Sequence, residues 1–132
     1  MIEYLEKEDY ITINRYVVEE VGGTNFGVQS ESSLDVVTNL PMSNLFGREI
    51  YPTIYDKAAI MLQKITKKHV FVDGNKRTAF MATKAFLYLN GLKQDVDLTD
   101  TSIETFLISI TIASDSGAVT EIIAEWLRRH FN

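Results

Sequence analysis

Apolar positions recur at helical spacing along almost the whole chain. Between Thr53 and Thr66, Ile54, Ala58, Met61, Leu62 and Ile65 fall at i, i+4, i+7, i+8 and i+11, one stripe along a helix face. Thr53 and Asp56 stand before the stripe as a capping box, each side chain satisfying the other residue's backbone N–H. In "AFMATKAFLYLNG" (79–91), Phe80, Met81, Ala82, Ala85, Phe86, Leu87 and Leu89 cover nearly all sides of a helix. That pattern predicts a buried central helix, stopped by Asn90-Gly91.

The flanks read the same way. A helix over about Asp9–Val21 stops at Gly22-Gly23, and a shorter one covers Ser30–Asn39 with serines available for capping. "LPMSNLFGREIYP" (40–52) carries Pro, Gly and a brief β-prone run, which predicts a loop or small hairpin. Residues 92–98 read as an extended connection. Thr101 and Glu104 suggest a second capping box for a helix to about Ala113, while "FLISITIA" within it fits a strand equally well. The last helix, about Ala118–His130, is expected to turn Ile122, Ile123, Trp126 and Leu127 inward, with Arg128 and Arg129 at the negative end of its dipole. The expected fold class is all-α: a compact helical bundle, one domain over residues 1–132, with no repeat, linker or low-complexity segment.

Composition narrows the class without identifying it. The 132 residues include no cysteine, which excludes disulfides and thiolate metal sites and fits a reducing compartment. "MIEYLEKEDY" is too acidic for a secretory signal, and no run approaches the ~18 apolar residues that cross a membrane, so a cytoplasmic protein is expected. Net charge is −5, against general nucleic-acid binding. The charge is uneven. Lys57, Lys64, Lys67, Lys68, Lys76, Arg77 and Lys84 face a single anion, Asp73, leaving +6 on residues 57–84 and −11 on the rest. On charge alone this is a solvated basic face.

"HVFVDGNKRTAF" (69–80) changes that picture, because it crowds polar groups between two apolar helices. Gly74 can adopt backbone angles closed to other residues and admit a ligand closely. The amides of Asn75, Lys76 and Arg77 would be unpaired donors at a helix N-terminus, which with two cationic side chains make a phosphate cradle. A carboxylate, Asp73, has no place against phosphate unless Mg²⁺ bridges them. His69 can take a proton from an attacking hydroxyl near neutral pH. A base, a metal carboxylate and a phosphate cradle are the parts of phosphoryl or nucleotidyl transfer, although no Walker pattern G-x-x-x-x-G-K-[ST] is present. Phe71 reads as core, and His130 carries no predicted chemistry.

"HVFVDGNKR" also resembles the signature of the Fic/Doc family, H-x-F-x-[DE]-G-N-[GK]-R, with further similarity in "IYPTIYDKAA" (50–59) and "FLYLNG" (86–91). The resemblance implies a Fic-type helical bundle in which the motif loop leads into the buried central helix, and "FGREIYP" would be a flap that docks a target as an added strand. It implies His69 as general base, Asp73 as Mg²⁺ ligand, and Gly74, Asn75, Lys76 and Arg77 as holders of the ATP phosphates. Lys76 stands where Fic enzymes have a second glycine, and Phe80 where they have a final arginine. Both resemble the death-on-curing (Doc) branch, toxins similar to kinases, which pass the γ-phosphate of ATP to a protein hydroxyl. Gly74 matches the Fic form, whose members transfer AMP. For a Doc-like toxin the implied target is elongation factor Tu. The inhibitory [ST]-x-x-x-E-[GN] helix of many Fic proteins is absent, as none of the glutamates precedes Gly or Asn. The implied restraint is therefore an antitoxin in trans, whose partly disordered tail folds on binding. Three functions stay open on these residues: γ-phosphate transfer, AMP transfer, and a non-catalytic nucleotide- or protein-binding module.

Overall fold

The computed structural model describes all 132 residues and is built of six helices. These are α1 (Lys7–Glu20), α2 (Glu31–Asn39), α3 (Ile54–Lys67), α4 (Asn75–Leu89), α5 (Asp100–Ile112) and α6 (Gly117–His130). A 3-10 turn (Leu40–Met42) and a hairpin of β1 (Asn44–Leu45) with β2 (Arg48–Glu49) separate α2 from α3. The all-α expectation holds, and the hairpin falls inside the segment read as a loop or hairpin.

At the centre α3 packs against α4 on one side and α6 on the other, while α1 closes over α4. The α3 stripe drives this arrangement: Ala58, Met61, Leu62 and Ile65 are all at most 1% exposed. Phe71, Phe86 and Phe131 are among the largest side chains fully buried in the core. Each aliphatic or aromatic side chain so buried contributes roughly 1.5–3 kcal/mol. Tyr10 of α1 is buried too, and that burial, helped by Asp9, pushes its phenol well above its usual range. No helix is long and apolar enough to cross a membrane.

The central helix begins at Asn75 with Gly74 before it, as the expected N-terminal amides of Asn75, Lys76 and Arg77 require. Elsewhere several details differ from the sequence expectation, each for a local reason. For α5 the cap is Thr99, whose hydroxyl accepts from Ser102 N–H at 3.1 Å; Thr101 and Glu104 already lie inside the helix. "FLISITIA" is helical through Ile112, with Ile103, Leu107 and Ile110 inward at i, i+4 and i+7. Ile122, expected inward, and Leu89 are exposed at 65% and 52%; α6 turns Ile123 and Leu127 into the core instead. The connection at 92–98 is extended only as far as Asp95, with Gln94 bridging Phe131 near the C-terminus; a turn at Val96–Asp97, closed by Leu98 N–H to Asp95 O at 3.1 Å, replaces the expected extended end.

The cations of residues 57–84 do not form one face. Lys57 is fully buried at the first turn of α3, where its ammonium donates to Pro41 O (3.0 Å), Tyr51 O (2.7 Å) and Glu49 Oε1 (2.8 Å). Those acceptors stand at both feet of the hairpin, so the lysine staples a two-stranded element too short to persist alone. Lys67 donates to Thr111 O at 2.9 Å and Ala113 O at 2.5 Å at the α5 C-terminus. Lys64 pairs with Asp115 at 2.8 Å. Burial alone would raise the Asp115 carboxyl, but the hydrogen bonds and charge from Lys64, with a bond from Gln63, hold it below the usual carboxylate range.

Candidate active site

The motif loop leaves α3 through a turn that a histidine occupies. Lys68 caps the helix, and His69 comes next at φ +48° with its side chain exposed. Glycine is the usual residue at such a left-handed helix exit, and a side chain there costs about 1–3 kcal/mol. Burial of the next two residues holds His69 in that conformation, since Val70 is 0% and Phe71 1% exposed. The segment after α1 reinforces that anchor. Gln29 and Ser30 donate their amides to Val70 O at 2.8 and 3.1 Å, Val72 N–H donates to Gly27 O at 3.0 Å, and Val28 pairs with Phe71 as an antiparallel bridge. Sequence reasoning passed over "FGVQS" because a bridge between segments forty residues apart leaves no periodic trace.

Asn75 closes the loop on itself. Its Oδ1 accepts from Phe71 N–H and its Nδ2 donates to Phe71 O, both at 2.9 Å. The side chain is thus engaged by the loop, and the free donor of Asn75 is its backbone N–H. Gly74 takes φ +73°, and a Cβ there would stand 2.9 Å from Val18 Cγ2. The close approach that requires glycine is therefore to α1. Asn14 of α1, only 1% exposed, adds three bonds that sequence reasoning missed: to Asp73 O (2.9 Å), to Thr78 Oγ1 (3.1 Å), and from Gly27 N–H (2.9 Å). An asparagine at an inward position of an amphipathic helix was its only sequence signal.

Beyond Gly74 the helix presents its donors. The first bond of α4 runs from Thr78 N–H to Gly74 O at 2.8 Å, and no side chain caps the turn. The amides of Asn75, Lys76 and Arg77 are left facing outward at the positive end of the dipole. Asp73 is exposed beside them, with Oδ1 accepting from Gly74 N–H at 2.8 Å. The two cationic side chains diverge. Lys76 Nζ lies 3.4 Å from Glu104 Oε1 of α5, and Arg77 Nη1 donates to Val17 O of α1 at 3.2 Å. Phe80 faces the interior at 7% exposure and packs near Phe131, so no cation stands at that position of α4.

The structure therefore brings His69, Asp73, Gly74 and the three amides onto one exposed loop and helix end. Arg77 also walls a cleft of about 390 Å³ between α1, α4 and α5, shared with Tyr16, Phe80, Lys84 and Leu107 but with neither His69 nor Asp73. No three His, Asp or Glu side chains converge anywhere in the molecule. A divalent ion therefore has no all-protein cage here. His130 packs against Trp126 with ring centres 4.6 Å apart and planes tilted by 53°.

Two comparisons bear on this site. The model of the Fic/DOC family matches residues 4–87, which include the whole loop, α1, α3 and most of α4. A curated protein called Toxin Doc, from Mycolicibacterium smegmatis, is 37% identical over 97 residues, covering 74% of this chain and 72% of its own.

Proposed function

The chain belongs to the Fic/DOC family, and from that premise we propose that it is the toxin of a toxin–antitoxin pair, a transferase that moves the γ-phosphate of ATP onto a protein hydroxyl. The observation that carries the proposal is an exposed histidine and a set of uncapped helix amides on one open surface. Small-molecule enzymes bury their reacting groups in concave sites. His69 and Asp73 are exposed, so a macromolecular target must supply the missing wall and exclude water.

In this reading His69 accepts the proton of a target Ser or Thr hydroxyl as its oxygen bonds to the γ-phosphorus and ADP departs. The amides of Asn75, Lys76 and Arg77, with the two cationic side chains, hold the phosphates. Asp73 would hold Mg²⁺, which neutralises phosphate charge when bound. Lys76 and the inward Phe80 favour γ-transfer over AMP transfer, because the second cationic clamp of a Fic site is missing. Gly74 does not argue the other way, since its backbone angle and the Val18 contact demand glycine whatever the nucleotide does. The target we propose is elongation factor Tu, whose modification would stop translation. The antitoxin would seat its folding tail in the cleft between α1, α4 and α5, covering Arg77.

ATP labelled separately at the α and γ positions, incubated with the protein and a bacterial lysate, tests the reaction. Label from the γ position on one protein is expected. Transfer from the α position establishes AMP transfer instead, and label from neither leaves a binding module. In cells, expression alone should arrest growth and co-expression of the neighbouring small open reading frame should restore it. Free growth with the protein alone would end the toxin reading.

A further inference from the structure

We infer that Asn14, a residue of α1 outside the motif, is a positioning residue for the transfer: it locks the Asp73–Gly74 peptide in the orientation that turns the α4 amides outward, an inference that rests on the transferase reading above. A buried amide side chain is costly unless every polar atom is bonded. Asn14 meets that condition only through the active-site loop and its neighbours. Nδ2 directs its hydrogens to Asp73 O at 2.9 Å and Thr78 Oγ1 at 3.1 Å, and Oδ1 accepts from Gly27 N–H at 2.9 Å.

The bond to Asp73 O governs the site because a peptide group is flat. Holding the carbonyl toward α1 directs Gly74 N–H to the opposite side, where it meets Asp73 Oδ1 at 2.8 Å. Carbonyl and carboxylate orientation are thus set by one peptide plane. The hinge of that plane is Gly74, at φ +73°, the residue most able to let the peptide turn over. A turned peptide would release the Asp73 carboxylate from its N–H and tilt the start of α4. The Asn75 side chain cannot prevent this, because both its bonds end on Phe71. Asn14 also holds Gly27 N–H while Gly27 O takes Val72 N–H, so one side chain braces the loop from two directions.

Two variants separate positioning from mere support. Asn14→Asp keeps the shape, still accepts from Gly27 N–H and can accept from the Thr78 hydroxyl, but has no hydrogen for Asp73 O. Thr78→Val removes a different partner of the same side chain and leaves the Asp73 bond intact. Both should lower the melting temperature. At a temperature where circular dichroism shows each folded, Asn14→Asp is expected to lose about 100-fold in γ-label transfer, the usual scale for a misplaced reacting geometry. Its Gly74 amide should exchange at least about tenfold faster with deuterium. Thr78→Val should keep near wild-type transfer and Gly74 protection. If Asn14→Asp does not fold, Asn14→Ser, too short to span the three partners, must show the same loss. Transfer falling in step with melting temperature in both variants, or an active Asn14→Asp, overturns the inference. A wild type that labels nothing overturns the transfer reading instead, and Gly74 exchange alone then decides whether Asn14 locks the peptide.

Discussion

The two ends of α3 hold their neighbouring irregular segments in opposite ways. At the N-terminal end the hairpin is fastened by a charge, Lys57, fully buried and bonded to three oxygens. At the C-terminal end the loop of residues 69–75 is fastened by neutral groups: the Asn75 and Asn14 amides, the paired segment 27–30, and the buried Val70 and Phe71. The first arrangement occupies its cation fully. The second leaves His69, the outer oxygen of Asp73 and three amides open. A site is marked by polar groups that the fold has left without partners, and the number of charges nearby is a poor guide to it.

That contrast predicts a double dissociation. His69→Ala should abolish transfer by about 10²- to 10⁴-fold, the scale for a positioned proton acceptor, with the melting temperature nearly unchanged. Residual transfer at wild-type rate in the folded variant would remove His69 from the chemistry. Lys57→Met should do the reverse. It leaves Pro41 O and Tyr51 O without their donor and is expected to cost about 2–4 kcal/mol in denaturant unfolding. Its affinity for ATP, measured by calorimetry on folded protein, should stay at the wild-type value. An affinity loss would mean that the two ends of α3 are coupled.

A smaller effect probes strain at the working end. His69→Gly relieves a left-handed backbone and should stabilise the fold by about 1 kcal/mol while being as inactive as His69→Ala. A less stable His69→Gly would show that packing of the side chain offsets the backbone strain. The smallest effect lies in acid. The folded Asp115 carboxyl titrates below its unfolded value, so its contribution is present above the unfolded range near pH 4 and is lost as pH falls through the folded one. Unfolding curves of wild type and Asp115→Asn should therefore converge as pH drops toward 2, and parallel curves would assign that acid sensitivity elsewhere.

Much of this was legible in the chain itself. The α3 stripe and its Thr53–Asp56 box appear as read, with the Thr53 hydroxyl accepting from Asp56 N–H at 3.0 Å. The motif loop precedes the buried helix as expected. The misplaced cap came where two local signals competed, since Thr99 and Thr101 both resemble caps; "FLISITIA" is helical as read, and the strand fitted it too because its exposed positions are also apolar. Lys57 looked like surface because nothing local reveals that three oxygens from residues 41–51 surround it.

The sequence by itself determined the helical class, the order of the elements and the chemistry available at residues 69–77, because helical periodicity, capping and residue type act within a few positions. Only the tertiary structure decided which of those polar groups remain free. Asn75 turned inward to Phe71, Gly74 came against Val18, Asn14 took hold of Asp73 O, and Lys57 vanished beneath the hairpin. Each of those outcomes is a hydrogen bond or a contact whose partner the chain does not reveal until it has packed, and a polar group is available to a ligand only when no such partner has claimed it.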